Sequence, residues 1–324
     1  MAAISGANAG AARVLDRRKF RDPVVTAGGE RRATVALAAL ETLWFNTGTL
    51  CNLTCRSCYI ESSPRNNRLA YLGAAEVGGY LDEIAADPRL GDTRLIGFTG
   101  GEPFMNPDLP SMLDWVLARG FQALVLTDAM RPMHHAKARL LGLLERHGRD
   151  RLTLRVSIDH YARDLHELER GRRSWAPTLD GLVWLARNGF RLAVAGSLFS
   201  GEPEAKVRAG FARLFAEHGI PVDASDPASL VVFPEMDATV DVPEITEACW
   251  GILGKSPESV MCATSRMVVK RHGAEAPVVL SCTLLPYDAG FEMGRTLAEA
   301  ARPVPLNHPH CAKFCVLGGA SCSG

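Results

Sequence analysis

The sequence predicts an α/β fold: a partial, TIM-like (β/α)6 barrel followed by a small, irregular, cysteine-rich C-terminal module. Three observations predict it. A unit of apolar strand, amphipathic helix and terminal glycine repeats through the middle of the chain. Beyond residue 236 that rhythm stops, and six of the nine cysteines follow, among scattered Pro and Gly. The 324 residues are 47% hydrophobic, enough for a large core with a smaller appendage.

Residues 1–40 form an extension that carries no legible role. Residues 41–235 hold the repeated units. The strand candidates are Thr42–Asn46, Arg94–Phe98, Gln122–Leu126, Leu152–Ile158, Arg191–Leu198 and Leu230–Phe233. Each is a short run rich in Val, Leu, Ile or Phe, as expected of strands covered on both faces. Between them, helices are predicted over Leu109–Arg119, His135–His147, Thr178–Asn188 and Ala205–His218, each followed directly by glycine. Glycine just past the last turn accepts the left-handed conformation that ends a helix. Strands alternating with helices imply a parallel sheet with right-handed crossovers. Six units are too few for an eight-fold barrel, so an open, partial barrel is expected, with a flat doubly wound sheet as its rival. In either, the functional site lies at the C-terminal ends of the strands. Residues 236–324 read as the separate module.

Lys and Arg number 36, as do Asp and Glu, so the net charge is zero. That leaves no electrostatic footprint for nucleic acid or an anionic membrane surface and favours a small-molecule or peptide substrate. No apolar run has the length of a membrane span, and residues 1–13 lack the apolar stretch of a signal peptide. A cytoplasmic location is expected. Nine cysteines there point to metal or redox chemistry rather than disulfides.

Three of these cysteines lie close together after the first strand, in Cys51-Asn-Leu-Thr-Cys55-Arg-Ser-Cys58-Tyr59. A four-iron cube takes four ligands, so three thiolates leave one iron open to a ligand. A structural zinc site with a fourth ligand from elsewhere is the alternative. After the second strand comes Phe98-Thr99-Gly100-Gly101-Glu102-Pro103. Two glycines allow close backbone approach and are expected to leave their N–H groups free, while Glu102 offers acceptor oxygens to an ammonium group. Taken alone, this run is an ordinary tight turn.

The order and placement of these two motifs resemble the radical S-adenosylmethionine (SAM) superfamily. Cys51-x3-Cys55-x2-Cys58-Tyr59 matches its cluster signature, and Gly100-Gly101-Glu102-Pro103 matches its SAM amino-group motif. The resemblance implies a [4Fe–4S] cluster on Cys51, Cys55 and Cys58, with SAM chelating the open iron. One electron, from a donor such as flavodoxin or ferredoxin, cleaves SAM to methionine and a 5′-deoxyadenosyl radical. That radical abstracts hydrogen from substrate, leading to oxidation, cyclisation or crosslinking. Further positions carry over from the family. Ser157 and Asp159 after strand four match a Ser-x-Asp near the SAM ribose and carboxylate. Arg170, in His166-Glu-Leu-Glu-Arg170-Gly171, matches the arginine that meets the carboxylate. Gly196 matches a backbone contact to adenine.

The C-terminal cysteines resemble the auxiliary-cluster domain called twitch, a shortened SPASM domain. The matching features are an isolated Cys262, then Cys282 ahead of Gly294, then a close pair, Cys311 and Cys315. The pair is separated by three residues rather than the usual two. The resemblance implies a second [4Fe–4S] cluster on Cys262, Cys282, Cys311 and Cys315, with Cys322 as a fifth candidate. The tail from His310 to Gly324 is also similar to radical SAM proteins linked to arsenosugar formation. A zinc ribbon is the alternative for this module. A non-catalytic, cysteine-stapled redox sensor is the alternative for the whole chain, although a sensor has no need of the Gly-Gly-Glu-Pro turn. Cys249 reads as a small buried side chain. Asp128, Arg131 and Glu235 follow strands on the site face and read as solvated loop residues or acid–base groups. Trp115, Trp175 and Trp184 read as core.

Overall fold

The computed structural model describes residues 14–234 and 237–319. A two-residue strand, Thr34–Val35 (β1), precedes Thr42–Asn46 (β2), which is buried along its whole length. Then come Leu95–Thr99 (β3), Gln122–Thr127 (β4), Leu152–Ser157 (β5), Arg191–Ser197 (β6) and Leu230–Phe233 (β7). These six strands, β2 to β7, lie side by side in chain order and all run parallel. Helices cover them, so the strands read as continuous apolar runs rather than alternating ones. The predicted partial barrel is what forms, with every strand boundary within one residue of expectation.

The helices are Ala74–Ala86 (α1), Leu109–Ala118 (α2), Arg131–His135 (α3), Lys137–His147 (α4), Arg163–Arg170 (α5), Trp175–Arg187 (α6) and Glu204–His218 (α7). The helix expected from His135 divides into α3 and α4 at Ala136. Helix α7 ends as predicted, with Gly219 left-handed at φ 64°. Helix α1 was not foreseen, because Gly78 and Gly79 sit in its interior and each lowers helix propensity. Tertiary contact explains Gly78: a Cβ there would lie 2.8 Å from the Trp115 ring. Trp115 therefore packs across α1 and α2 and remains 38% exposed, rather than entering the core.

The C-terminal region adds to the same sheet. Ser265–Val269 (β8) pairs in parallel with β2, on the side away from β3. Val278–Leu280 (β9) and Glu292–Gly294 (β10) continue antiparallel, giving nine strands from β10 to β7. Between them lie short 3-10 turns and the five-residue helix Cys249–Leu253 (α8). Cys249 heads that helix half-buried, its sulfur accepting from the Thr246 N–H at 3.4 Å. Among the described residues no helix is long and apolar enough to cross a membrane. The eight described cysteines are all free thiols. Cys322, Glu235 and the tail residues 320–324 lie outside the described residues.

The N-terminal extension packs onto this region. Strand β1 pairs with Val304–Pro305 (β11), and the Arg32 guanidinium, fully buried, meets Glu244 at 2.5 Å. Arg32 also donates to the carbonyls of Asp22, Val25 and Leu306. Removing one member of such a pair leaves a buried charge uncompensated, at a cost of about 3–5 kcal/mol. Glu244→Ala is therefore expected to lower the melting temperature and to expose residues 14–33 to limited proteolysis. An unchanged melt and digestion pattern would show that the pair does not hold the extension.

Candidate active site

The strand ends converge on one cavity of about 590 Å³. Its first wall is the loop after β2. Asn46 Oδ1 accepts from the Gly48 N–H at 3.0 Å, turning the chain out of the strand. The loop returns when the Cys51 N–H donates to the Ser63 carbonyl at 3.1 Å. Cys51, Cys55 and Cys58 all line the cavity. The Leu53 N–H points at the Cys51 sulfur (3.4 Å) and the Ser62 N–H at the Cys58 sulfur (3.3 Å). Burial, helped by the nearby Asp128 and Glu102 carboxylates, pushes the Cys51 thiol up to about 12. Burial also pushes Cys55 up to about 11, against the opposing influence of Arg170. Such thiols stay protonated unless a metal takes the proton's place.

The turn after β3 docks on this loop through its backbone. The Gly101 N–H donates to the Gly48 carbonyl at 2.8 Å and the Glu102 N–H to the Leu50 carbonyl at 3.1 Å. The Gly101 N–H is therefore not free, contrary to expectation. A Cβ on Gly101 would lie 2.2 Å from the Leu50 carbonyl oxygen, and one on Gly100, at φ +140°, 2.5 Å from that of Gly48. Both glycines line the cavity, but Glu102 and Pro103 do not. Glu102 is 2% exposed. Its carboxylate accepts from the Phe104 N–H, the Thr127 hydroxyl and the Asp128 N–H, at 2.8 to 3.0 Å. Burial and the Asp128 charge raise its pKa well above the usual carboxylate range.

Ser157, Asp159, Arg170 and Gly196 all face the same cavity, and Tyr59 stands at its rim, 38% exposed. Arg170 Nε donates to Asp159 Oδ2 at 2.6 Å. Burial disfavours the guanidinium charge, but the adjacent Asp159 more than offsets this and keeps it cationic. A Cβ on Gly196 would lie 2.9 Å from the Phe211 ring, so this glycine also lets α7 close onto β6. Two buried acidic groups lining the cavity were not singled out as ligand-binding from sequence. Asp128 is 4% exposed; its Oδ1 accepts from the Met130 N–H at 2.8 Å, while its buried Oδ2 has no partner. Glu169 Oε2 is likewise buried and unpartnered. The signal for Asp128 was its place at the C-terminal end of a strand.

Cys262, Cys282, Cys311 and Cys315 line a second, small cavity of about 20 Å³, otherwise walled by apolar groups such as Met261, Phe291 and Leu306. Burial raises Cys262 to about 11, Cys311 to about 12 and Cys282 well above the usual thiol range. The wider Cys311–Cys315 spacing is absorbed by a π-helical segment, Cys311–Leu317. A π-turn takes up an extra residue, and such turns are frequent at functional sites. Within it, Phe314 stacks on Phe233 at 5.8 Å and lines the main cavity. Among the described residues no three His, Cys, Asp or Glu side chains converge on a point that would hold one metal ion. The donors nevertheless suit iron–sulfur clusters: three thiols face a cavity with room for a further ligand, and four enclose an apolar pocket.

The sequence profile of the Radical SAM superfamily matches residues 45–209, just over half of the chain. The chain belongs to the radical SAM superfamily. Members of this superfamily are enzymes that use a [4Fe–4S] cluster and SAM. The radical SAM chain is 30% identical over 152 residues to the antilisterial bacteriocin subtilosin biosynthesis protein AlbA of Bacillus subtilis (strain 168), a match covering 46% of this chain and 31% of AlbA. Its fold is shared with Streptococcus suis SuiB bound to S-adenosylmethionine (TM-score 0.57, 12% identity, 79% of this chain and 63% of SuiB). It is also shared with anSMEcpe with bound AdoMet (TM-score 0.56, 13% identity, 80% of this chain and 79% of anSMEcpe). The chain thus spans about a third of AlbA and under two thirds of SuiB.

Because Gly101 meets Leu50 backbone against backbone, neither side can yield by rotating a side chain. Gly101→Ala is expected to cost about 1–3 kcal/mol of stability. It should also reduce the iron that the chain takes up on anaerobic reconstitution. Wild-type iron content and melting temperature would show that the loop tolerates displacement.

Proposed function

We propose that this radical SAM enzyme modifies a peptide by hydrogen abstraction, in an oxidation, cyclisation or crosslinking reaction. Cys51, Cys55 and Cys58 hold the SAM-binding [4Fe–4S] cluster, and Cys262, Cys282, Cys311 and Cys315 an auxiliary one. The observation that carries this reading is the single cavity uniting three thiols, the Gly100–Gly101 turn and the Asp159–Arg170 pair. Residues 41–235 then form the radical SAM core and 236–324 the auxiliary module. When bound, the cluster and SAM supply a hydrogen-abstracting 5′-deoxyadenosyl radical. A low-potential donor such as flavodoxin or ferredoxin provides the electron.

The protein's part is to bind, orient and exclude. Arg170, kept charged by Asp159, faces the SAM carboxylate with a fork suited to it. Asp128 lines the same space with Oδ2 left as an unpartnered acceptor, and it takes the SAM ammonium group. In this reading Glu102 acts one layer behind: it fixes the Asp128 loop rather than touching the ammonium. Tyr59 and the backbone at Gly196 flank the adenosyl group. Phe233, Leu284 and Phe314 form an apolar wall on the module's side of the cavity, which shields a reacting side chain from water. A peptide is favoured over a free small molecule by the relatives. AlbA is named for biosynthesis of a bacteriocin, and SuiB has been crystallised with its precursor peptide SuiA.

The first test is metal content after anaerobic reconstitution. About eight irons per chain are expected, falling to about four when Cys51, Cys55 and Cys58 are replaced by alanine. Four irons falling to none, with one zinc retained, would replace the auxiliary cluster by a structural zinc. Cys55→Ala should abolish 5′-deoxyadenosine formation and leave the C-terminal irons in place; continued formation would overturn the assignment. Asp128→Asn should weaken SAM binding about ten- to hundredfold, the worth of a charge-assisted hydrogen bond. Unchanged affinity would return that role to Glu102.

A further inference from the structure

Two guanidinium groups, Arg32 and Arg266, are buried beside the C-terminal thiols, each 1% exposed. They differ in what neutralises them. Arg32 has Glu244 as its partner. Arg266, on β8, donates only to main-chain carbonyls. Its Nε reaches Ala300 at 2.8 Å, its Nη1 reaches Cys262 at 2.6 Å and Ser265 at 2.7 Å, and its Nη2 reaches Arg302 at 3.4 Å. No carboxylate pairs with it among the described residues; the acidic groups whose charge reaches it are Cys262 and Cys282. Carbonyl dipoles satisfy its N–H groups but leave its net charge uncompensated. A buried charge in that state is strongly unfavourable unless a counter-charge arrives.

We propose that Arg266 is the counter-ion of the C-terminal cluster and raises its reduction potential. This rests on reading Cys262, Cys282, Cys311 and Cys315 as ligands of a [4Fe–4S] cluster. Four metal-bound thiolates bring a net negative charge into an apolar pocket, and Arg266 meets that charge from within β8. Reduction adds one electron, and so one further negative charge, to the cluster. A fixed cation nearby stabilises the reduced form more than the oxidised form, which moves the potential upward. Arginine suits this role because it holds its charge on burial more firmly than a lysine does.

The test uses the full-length chain with Cys51, Cys55 and Cys58 replaced by alanine, so that only the C-terminal site is observed. The reconstituted protein is titrated anaerobically with dithionite and followed by electron paramagnetic resonance. Arg266→Gln, with its iron retained, is expected to shift the midpoint to a more negative potential, and Arg266→Lys is expected to shift it less. An unchanged midpoint in Arg266→Gln with full iron would overturn the proposal while leaving the cluster reading intact. Zinc in place of iron in the parent protein would overturn the cluster reading itself. If Arg266→Gln loses its cluster, Glu244→Gln provides the second measurement. It frees the charge of Arg32, which reaches Cys311, and should move the midpoint positive; no movement would overturn the charge argument.

Discussion

The site depends on one backbone-to-backbone contact, the seating of the Gly100–Gly101 turn on the cysteine loop. Strands β2 and β3 run parallel in a register that sets Asn46 beside Thr99, so both chains leave the sheet abreast. Two amide–carbonyl bonds then lock the loops together, with no side chain between them. The next residue, Glu102, carries the lock to the end of β4 through Thr127 and Asp128. Three consecutive strand ends therefore hold one another, and the cavity takes its shape from that.

This contact also explains why a carboxylate is so deeply buried. Glu102 accepts from two backbone amides and a hydroxyl, which satisfies its oxygens without solvent. Asp128 sits beside it with one oxygen unmatched. Two neighbouring carboxylates in a dry site repel, and the repulsion is relieved if a cation enters. In the proposed reading, the ligand's positive end completes the electrostatics of this pair.

Much of this was legible in the sequence. The strands were readable because each is an apolar run covered on both faces, and the helices because glycine stops them. The thiols and the glycine turn were readable as local motifs. What stayed hidden is non-local. The pairing of β8 with β2 joins residues more than two hundred positions apart, and nothing in Ser265–Val269 announces its partner. Helix α1 carries two glycines, and the reason for one of them, Gly78, is a tryptophan on another helix. Glu102 looked like a ligand-facing acid, because spacing shows that it follows a strand and not which neighbours enclose it.

The β8–β2 pairing has a consequence for chemistry. It puts β8 and β9, which Cys262 precedes and Cys282 follows, in the same continuous sheet as β2, the strand that launches the cysteine loop. Phe314 lies between Cys311 and Cys315 in sequence and stacks on Phe233 at the end of β7. The segment that supplies two thiols to the second pocket thereby supplies an apolar wall to the first cavity. Burial raises Cys51 and Cys55 at the first cavity and Cys262, Cys282 and Cys311 at the second pocket, and a bound metal would take the place of those protons. The fixed cations stand ready on opposite terms: Arg170 is held by a carboxylate at the first site, whereas Arg266 has only carbonyls at the second. That difference leaves the buried charge of Arg266 without a counter-ion among the described residues, an imbalance that the proposed cluster would relieve.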